Sequence, residues 1–322
     1  MPSRSRSRSP DPEPSTYTPF PDPAVAHIPP PTFPLPASTL HGTYCALRPL
    51  SRAHIPGLYK AIGGKQNAWL WKYMLSGPYF RYEEFEHDIS IDADAWDWNG
   101  GGGDGGEDRG VQRAGAEKVF WTIMLKSATD TSAPNSNADA DANANTDVKS
   151  KPDETLIPAG VLALHRIQPP HQSLEIGYVV FSPLIQRQPA ATESIYLISH
   201  FAFEQLGYWR VEWKCNALNL ASRRAAKRLG FNEEGTMRGH MVVKGRRRDT
   251  SWFAVGRGQW DGEYREEEGE DGEGNKGEED GKRDKEGRRK GVRQAFELWL
   301  SPGNFDEEGK QRRGLKEIRE GG

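Results

Sequence analysis

The chain has 322 residues, with 43 lysines and arginines against 46 aspartates and glutamates and a formal net charge of −3. A balance this even gives no global attraction to nucleic acid or to a membrane surface. Its two cysteines, Cys45 and Cys215, lie far apart without metal-ligand spacing, and no apolar run approaches the about 18 residues of a membrane-spanning helix. No metal site is expected. The basic N-terminus has no apolar stretch behind it, so it does not read as a secretory signal. A reduced, cytoplasmic chain fits these features, with a nuclear location also open.

Residues 1–38 form an arm rich in Pro, Ser and Arg, which cannot bury enough apolar surface to offset its ordering entropy. The opening Arg-Ser alternation admits a phosphorylatable arm that touches RNA. Biased composition alone accounts for so short a run, and nucleic acid is not the expected partner. Three more tracts have the same non-globular character: 92–116, 127–155 and the charge- and glycine-dominated 261–291. Subtracting them leaves one domain over 39–260 and a helical tail over 292–322.

Within that domain, Gly42–Leu50 reads as a first strand ended by Pro49. A helix follows, with Ile55, Leu58 and Ile62 at helical spacing and Pro56 in its first turn. Short aromatic-rich helices come next. Strands are expected over Glu117–Leu125, Ile157–Gln168 and Ser173–Phe181. After a polar loop, Ile195, Ile198, Ala202 and Leu206 line one face of a helix that Gly207 stops. Trp209–Asn216 is the next strand. Asn219 caps a second helix with Ala221, Ala225 and Leu229 on one face and Gly230 at its end, and a hairpin turns at Lys244-Gly245-Arg246. This order predicts an α/β or α+β fold with a largely antiparallel sheet.

The loop in "FSPLIQRQPAATES", residues 181–194, raises a question. A short polar, cationic link between strand and helix is either an ordinary connection or an anion site made of backbone N–H groups and a helix N-terminus.

Here the chain resembles the GNAT acyl-CoA N-acyltransferases, in the branch of ribosomal-protein alanine acetyltransferases. "LEIGYVVFSPLIQRQPAATES" looks like that branch's strand, pyrophosphate loop and helix start, and "RVEWKCNALNLASRRAAKRLGFNEEG" is similar to its following strand and Asn–Ser–Arg helix. The C-terminal "VRQAFELWLSPGNF" resembles a tail helix of one group of these proteins.

The resemblance implies a mixed, mostly antiparallel sheet whose two central parallel strands splay apart and admit acetyl-CoA as co-substrate. Val179 and Phe181 would pair with the pantetheine amides. Gln186, Arg187, Gln188, Pro189, Ala190, Ala191 and Thr192 would receive the pyrophosphate, and Asn219 and Ser222 would lie near the coenzyme. Arg223, Arg224, Lys227 and Arg228 would either attract its 3′-phosphate or form a solvated basic face. Glu175 matches a carboxylate base, and period-two alternation would set it on one strand face with Val179 and Phe181.

Two positions depart from the family pattern. Pro189 replaces the first loop glycine, and Ala226 replaces a tyrosine acid. The expected activity is acetyl transfer to a primary amine of a small molecule or a protein N-terminus, by direct attack. A non-catalytic acyl-CoA-binding protein, or an RNA-associated one acting through its Arg-Ser arm, are the alternatives.

Overall fold

A computed structural model describes residues 39–94, 96–97, 111–112, 118–126, 156–262 and 290–321. The arm 1–38, the tract 127–155 and most of the other two tracts lie outside the described residues.

In chain order, β1 is Leu40–His41 and β2 is Cys45–Pro49. Then come α1, Ile55–Ile62, and α2, Tyr82–Asp94. A two-residue pair follows, β3 (Trp96–Asp97) and β4 (Val111–Gln112), and after it β5, Lys118–Lys126. The next elements are β6 (Leu156–Gln168), β7 (Ser173–Phe181), α3 (Pro189–His200) and β8 (Arg210–Asn216). They lead to α4 (Leu220–Arg228), β9 (Asn232–Val243) and β10 (Arg246–Gly256). Three helices close the chain: α5 (Arg257–Asp261), α6 (Val292–Leu300) and α7 (Leu315–Arg319).

Eight strands form one sheet in the order β1-β2-β5-β6-β7-β8-β10-β9. Every neighbouring pair is antiparallel except β7 and β8, which run parallel. The fold is therefore the expected mixed α/β one. The β9–β10 hairpin turns through Lys244 (φ 51°) and Gly245 (φ 72°), the pair of positive φ values that a two-residue turn needs to match strand twist.

The sheet has a core on each face. One gathers Trp121, Leu174 and Ile176 with Ile195 and Ile198 of α3, and with Trp260, Phe296 and Trp299. The other gathers Leu58 of α1 and Phe85 of α2 with Val161, Ala163 and Val180. No helix among the described residues is long and apolar enough to cross a membrane.

Several expectations shift. The tract at 92–116 begins too early, because α2 runs to Asp94 and buries Phe85, Ile89 and Ala93 at steps of four. The first strand begins only at Cys45, because the amides just before it turn to a carboxylate described below. On α4 Ala225 packs against the core and Leu229, just past its end, is buried as expected, but Ala221 is exposed and Ala226 is buried with them. The tail is part of the main core: Val292, Ala295, Phe296 and Trp299 of α6 are all buried in it.

The ends of the acidic tract meet. A Cβ placed on Gly291 would stand 2.6 Å from the backbone nitrogen of Gly262. Replacing 263–289 by a short glycine-serine link is therefore expected to shift the melting temperature by no more than about 4 °C. A larger fall in a thermal scan would show that the tract contributes to the core.

Candidate active site

β7 and β8 pair only over Ser173–Glu175 with Arg210–Glu212. Beyond that point the two strands have no mutual register, and β8 continues against β10 alone. On the other side of β7, Ser182 donates its N–H to the Ala159 carbonyl at 3.0 Å. Antiparallel ladders alternate, so the Gly160–Phe181 pair is a non-hydrogen-bonded one, and Phe181 turns its N–H and C=O toward the gap. Val179 does the same by the same alternation. Gly160 permits this close pairing, since a Cβ there would lie 2.5 Å from the Val180 carbonyl oxygen.

A bulge interrupts β7. The register slips between Val161–Val180 and Ala163–Gly177, and Tyr178 takes φ 52°. The extra residue reverses the alternation of side chains. Val179 and Phe181 consequently pack on the same core as Leu174 and Ile176. Glu175 therefore points to the opposite face from Val179 and Phe181, contrary to the period-two expectation.

From Phe181 the chain enters a tight double turn. Ile185 and Gln186 both donate to the Ser182 carbonyl at 3.2 Å, and Gln188 donates to that of Ile185 at 3.1 Å. Arg187 sits in the left-handed region at φ 63°. Gln188 is extended, and Pro189 opens α3, where a missing N–H costs the helix nothing. Gln186 Nε2 reaches back to donate to the gap-facing Phe181 carbonyl at 2.8 Å. Among the described residues the amides of Arg187 and Ala190 meet no acceptor.

The first turn of α3 is clamped on two sides. Arg228 of α4 donates Nη2 to Thr192 Oγ1 at 3.1 Å. Glu193 accepts the N–H groups of Thr43 (2.6 Å), Tyr44 (2.7 Å) and Cys45 (2.8 Å). On α4, Asn219 Oδ1 accepts the Ser222 N–H at 3.1 Å, as a helix cap does. Ser222 Oγ accepts the indole N–H of Trp213 at 3.0 Å. Ala226 is wholly buried in the core.

Two parallel strands that part beside a helix N-terminus are the feature the sequence resemblance pointed to. Residues 45–232 match the model of the acetyltransferase (GNAT) domain family. The chain belongs to the GNAT acetyltransferase family. A "Putative ribosomal N-acetyltransferase YdaF" of Bacillus subtilis is 29% identical over 104 residues, 32% of this chain and 56% of that protein. The match thus spans little more than half the length of this curated relative. A GCN5-related N-acetyltransferase from Brucella melitensis is similar in structure, at 28% identity and a TM-score of 0.63 over 90% of this chain and 97% of that one. A probable GNAT-family acetyltransferase from Chromobacterium violaceum is similar at 25% identity and a TM-score of 0.55, over 81% and 100% of the two chains.

In this GNAT domain the surroundings of Glu175 are polar. His165 lies directly opposite on β6, with Nε2 3.1 Å from Glu175 Oε1. Lys214 Nζ stands 3.0 Å and Arg166 Nε 3.4 Å from Oε2. Lys214 also pairs with Glu212 at 2.5 Å and lies 3.8 Å over the Trp252 ring. Burial alone would push the Glu175 carboxyl up, but His165 and then Lys214 hold it below the ordinary carboxylate range.

Gly177 makes the room for this pairing, because a Cβ there would run into His165 Nε2. Gly177→Ala is expected to displace the ring and reduce turnover about 10-fold, the low end of general acid–base losses, with coenzyme affinity kept. Equal turnover in the variant would show that the His165–Glu175 contact is idle.

The aromatic segment before α2 divides. Trp71 and Tyr79 are core residues, whereas Trp69 and Phe80 are more than half exposed. His240 bonds Thr250 Oγ1 at 3.0 Å, a packing role. The sequence reading passed over His165, Lys214, Arg248 and the particular place of Arg228. His165 was within reach of it, since pairing "VLALHRIQ" antiparallel to "SLEIGYVV" sets His165 against Glu175. The others depend on the tertiary crossing of β8, β10 and α4.

Proposed function

We propose that this GNAT protein is an acetyl-CoA-dependent N-acetyltransferase that moves an acetyl group to a primary amine, of a small molecule or a protein N-terminus, by direct attack. The observation that carries this reading is the open gap, lined by unpaired backbone of Val179 and Phe181, that ends at the N-terminus of α3. The residues present suit the coenzyme. Val179 and Phe181 offer ladder positions to the pantetheine amides, and Gln186 has to release the Phe181 carbonyl for that. Gln186, Arg187, Gln188, Pro189, Ala190, Ala191 and Thr192 surround the pyrophosphate position, where amides and the helix dipole favour an anion. Asn219 and Ser222 of α4 would lie near the coenzyme, as in the family resemblance.

Backbone donors in the gap would stabilise the oxyanion on the thioester carbonyl as the amine attacks. Glu175 is the carboxylate proposed to draw off the amine proton, through a water or through the His165 ring that it holds. With Ala226 in the core, the thiolate leaves without a tyrosine acid; a thiol pKa near about 8.5 makes that tolerable at neutral pH.

The test is calorimetry with coenzyme A and dephospho-coenzyme A, followed by thiol release across an amine panel that includes ribosomal-protein N-terminal peptides, as the name of the YdaF relative suggests. Arg228→Glu is expected to weaken coenzyme binding by about 10-fold or more, since it replaces a charge-assisted donor at the phosphate position by a like charge. Unchanged affinity in Arg228→Glu and Arg187→Glu would remove both residues from the site.

Two observations favour a second reading, a coenzyme-binding protein without turnover. Glu175 is ion-paired on three sides and Ala226 supplies no acid. Coenzyme binding without thiol release for any amine would establish that reading.

A further inference from the structure

We infer that the polar face beside the gap is an anion-recognising acceptor subsite built on Arg248 and Arg166, so that the amine this protein acetylates carries a carboxylate close to its nitrogen. The inference rests on the acetyltransferase reading and adds the class of acceptor.

Glu175 and Glu212 share Lys214 between them, and Arg166 takes the remaining flank of Glu175. Arg210 divides itself between Glu212 and Glu234. Each of these carboxylates has a cation within ion-pair distance, although Glu175 Oε2 makes no hydrogen bond, and among the described residues Arg248 has no such partner. Arg248 stands on β10 just before the stretch that pairs with β8, at even spacing from Trp252, whose β8 partner is Lys214. Burial weighs on its charge first, and Cys215, Glu175 and Arg166 lie within electrostatic reach of it. It has no carboxylate partner among the described residues, and its Nε is wholly buried without an acceptor.

The carboxylate next in sequence is engaged elsewhere. Asp249 Oδ1 accepts the Gly239 N–H at 2.7 Å and faces Arg247 at 3.8 Å. A second buried donor on the same face, Trp252 Nε1, also lacks an acceptor. Arg166 is 48% exposed, with Nε 3.4 Å from Glu175 Oε2.

Buried donors without acceptors are costly, and an uncompensated half-buried guanidinium more so. A carboxylate entering here would meet two guanidinium groups and complete the balance with charge-assisted hydrogen bonds. The rim continues the same sign. Lys244 at the hairpin tip and Arg246 and Arg247 beyond it are exposed. A polycationic amine would meet repulsion at every one of these positions, while an acidic acceptor is drawn in.

The experiment uses the full chain and matched acceptors: free aspartate and glutamate, tripeptides with acidic, neutral or lysine residues after an N-terminal alanine, and spermidine. The acidic peptide is expected to exceed the neutral one in kcat/KM by about 10-fold, with the lysine peptide and spermidine lowest, and the preference is expected to shrink as salt rises. If free aspartate matches the acidic peptide, the source is a small amino acid; if it does not, the source is a peptide. Arg248→Gln is expected to erase the preference by raising KM for acidic acceptors, with neutral-peptide turnover and coenzyme affinity unchanged. Arg248→Lys is expected to keep part of it.

A preference that persists in Arg248→Gln, or an equal loss for every acceptor, overturns the inference. If coenzyme binds but no amine is acetylated, the enzymatic reading has failed separately. Calorimetry of the acidic tripeptide against the coenzyme-loaded protein then decides this subsite: binding that Arg248→Gln abolishes supports it, and binding that the variant leaves unchanged, or that the wild type does not show, overturns it.

Discussion

Glu175→Gln is expected to lower turnover by about 10²-fold, the usual scale of a lost general base, while coenzyme affinity changes little. The side chain is 6% exposed and lies 3.1 Å from His165 Nε2 and 3.0 Å from Lys214 Nζ. An amide keeps its shape but carries no charge to anchor either partner. An acceptor amine with a pKa near about 8 has a useful neutral fraction at pH 7, whereas a lysine-like amine near about 10.4 has little and depends more on assistance. The deficit should therefore shrink as pH rises and the acceptor deprotonates by itself. His165 and Lys214 hold the Glu175 carboxyl below its ordinary range against the opposing pull of burial, so it is ionised throughout neutral pH.

A depressed folded-state pKa adds stability above the unfolded value of about 4.3, and that stability is lost as pH falls through the folded value. The gap in melting temperature between wild type and Glu175→Gln should accordingly be full at neutral pH and close below about pH 4. Wild-type turnover in the variant over about pH 6 to 9 would make Glu175 structural, with Glu212 or solvent the next candidate.

Glu193→Ala is expected to cost about 3 kcal/mol or more of folding stability. Its carboxylate is buried and is the acceptor for three successive backbone amides, Thr43, Tyr44 and Cys45. Hydrogen bonds to a charged group contribute about 1.5–3 kcal/mol each, and removing the acceptor strands three donors at the start of β2. A loss of that size lowers the melting temperature by roughly 6–12 °C in a domain of this length. Glu193→Gln, which keeps one acceptor oxygen, should lose less. Because the same contact ties the first turn of α3 to β2, the alanine variant should also bind coenzyme more weakly than its fold loss alone accounts for. A cost below about 1 kcal/mol in urea unfolding would show that water replaces the carboxylate.

The fold was legible wherever local pattern and tertiary outcome agree. β7 falls on its expected residues, and Ile195, Ile198, Ala202 and Leu206 are all buried. The polar loop and the Asn219 cap could be read because capping is local chemistry within three residues. The site was less legible where a single residue changes the register. Nothing in "SLEIGYVVF" signals that Tyr178 takes a left-handed φ, yet that bulge decides which face Glu175 shares. Glu193 gives no signal within its own segment, because its three amide partners lie about 150 positions away. The unbalanced charge of Arg248 is likewise a property of three strands together and of no one segment.

The central claim is that the gap between β7 and β8 and the loop after it hold the coenzyme. Hydrogen exchange of the full chain, with and without acetyl-CoA, tests it most directly. The amides of Val179 and Phe181 face the gap without a ladder partner, and those of Arg187 and Ala190 have no acceptor among the described residues. The account predicts that peptides covering 179–182 and 187–192 slow their exchange on adding acetyl-CoA, while the β9–β10 hairpin is little affected. Saturating acetyl-CoA that binds by calorimetry yet leaves both peptides unprotected, or that protects a different surface, would contradict it.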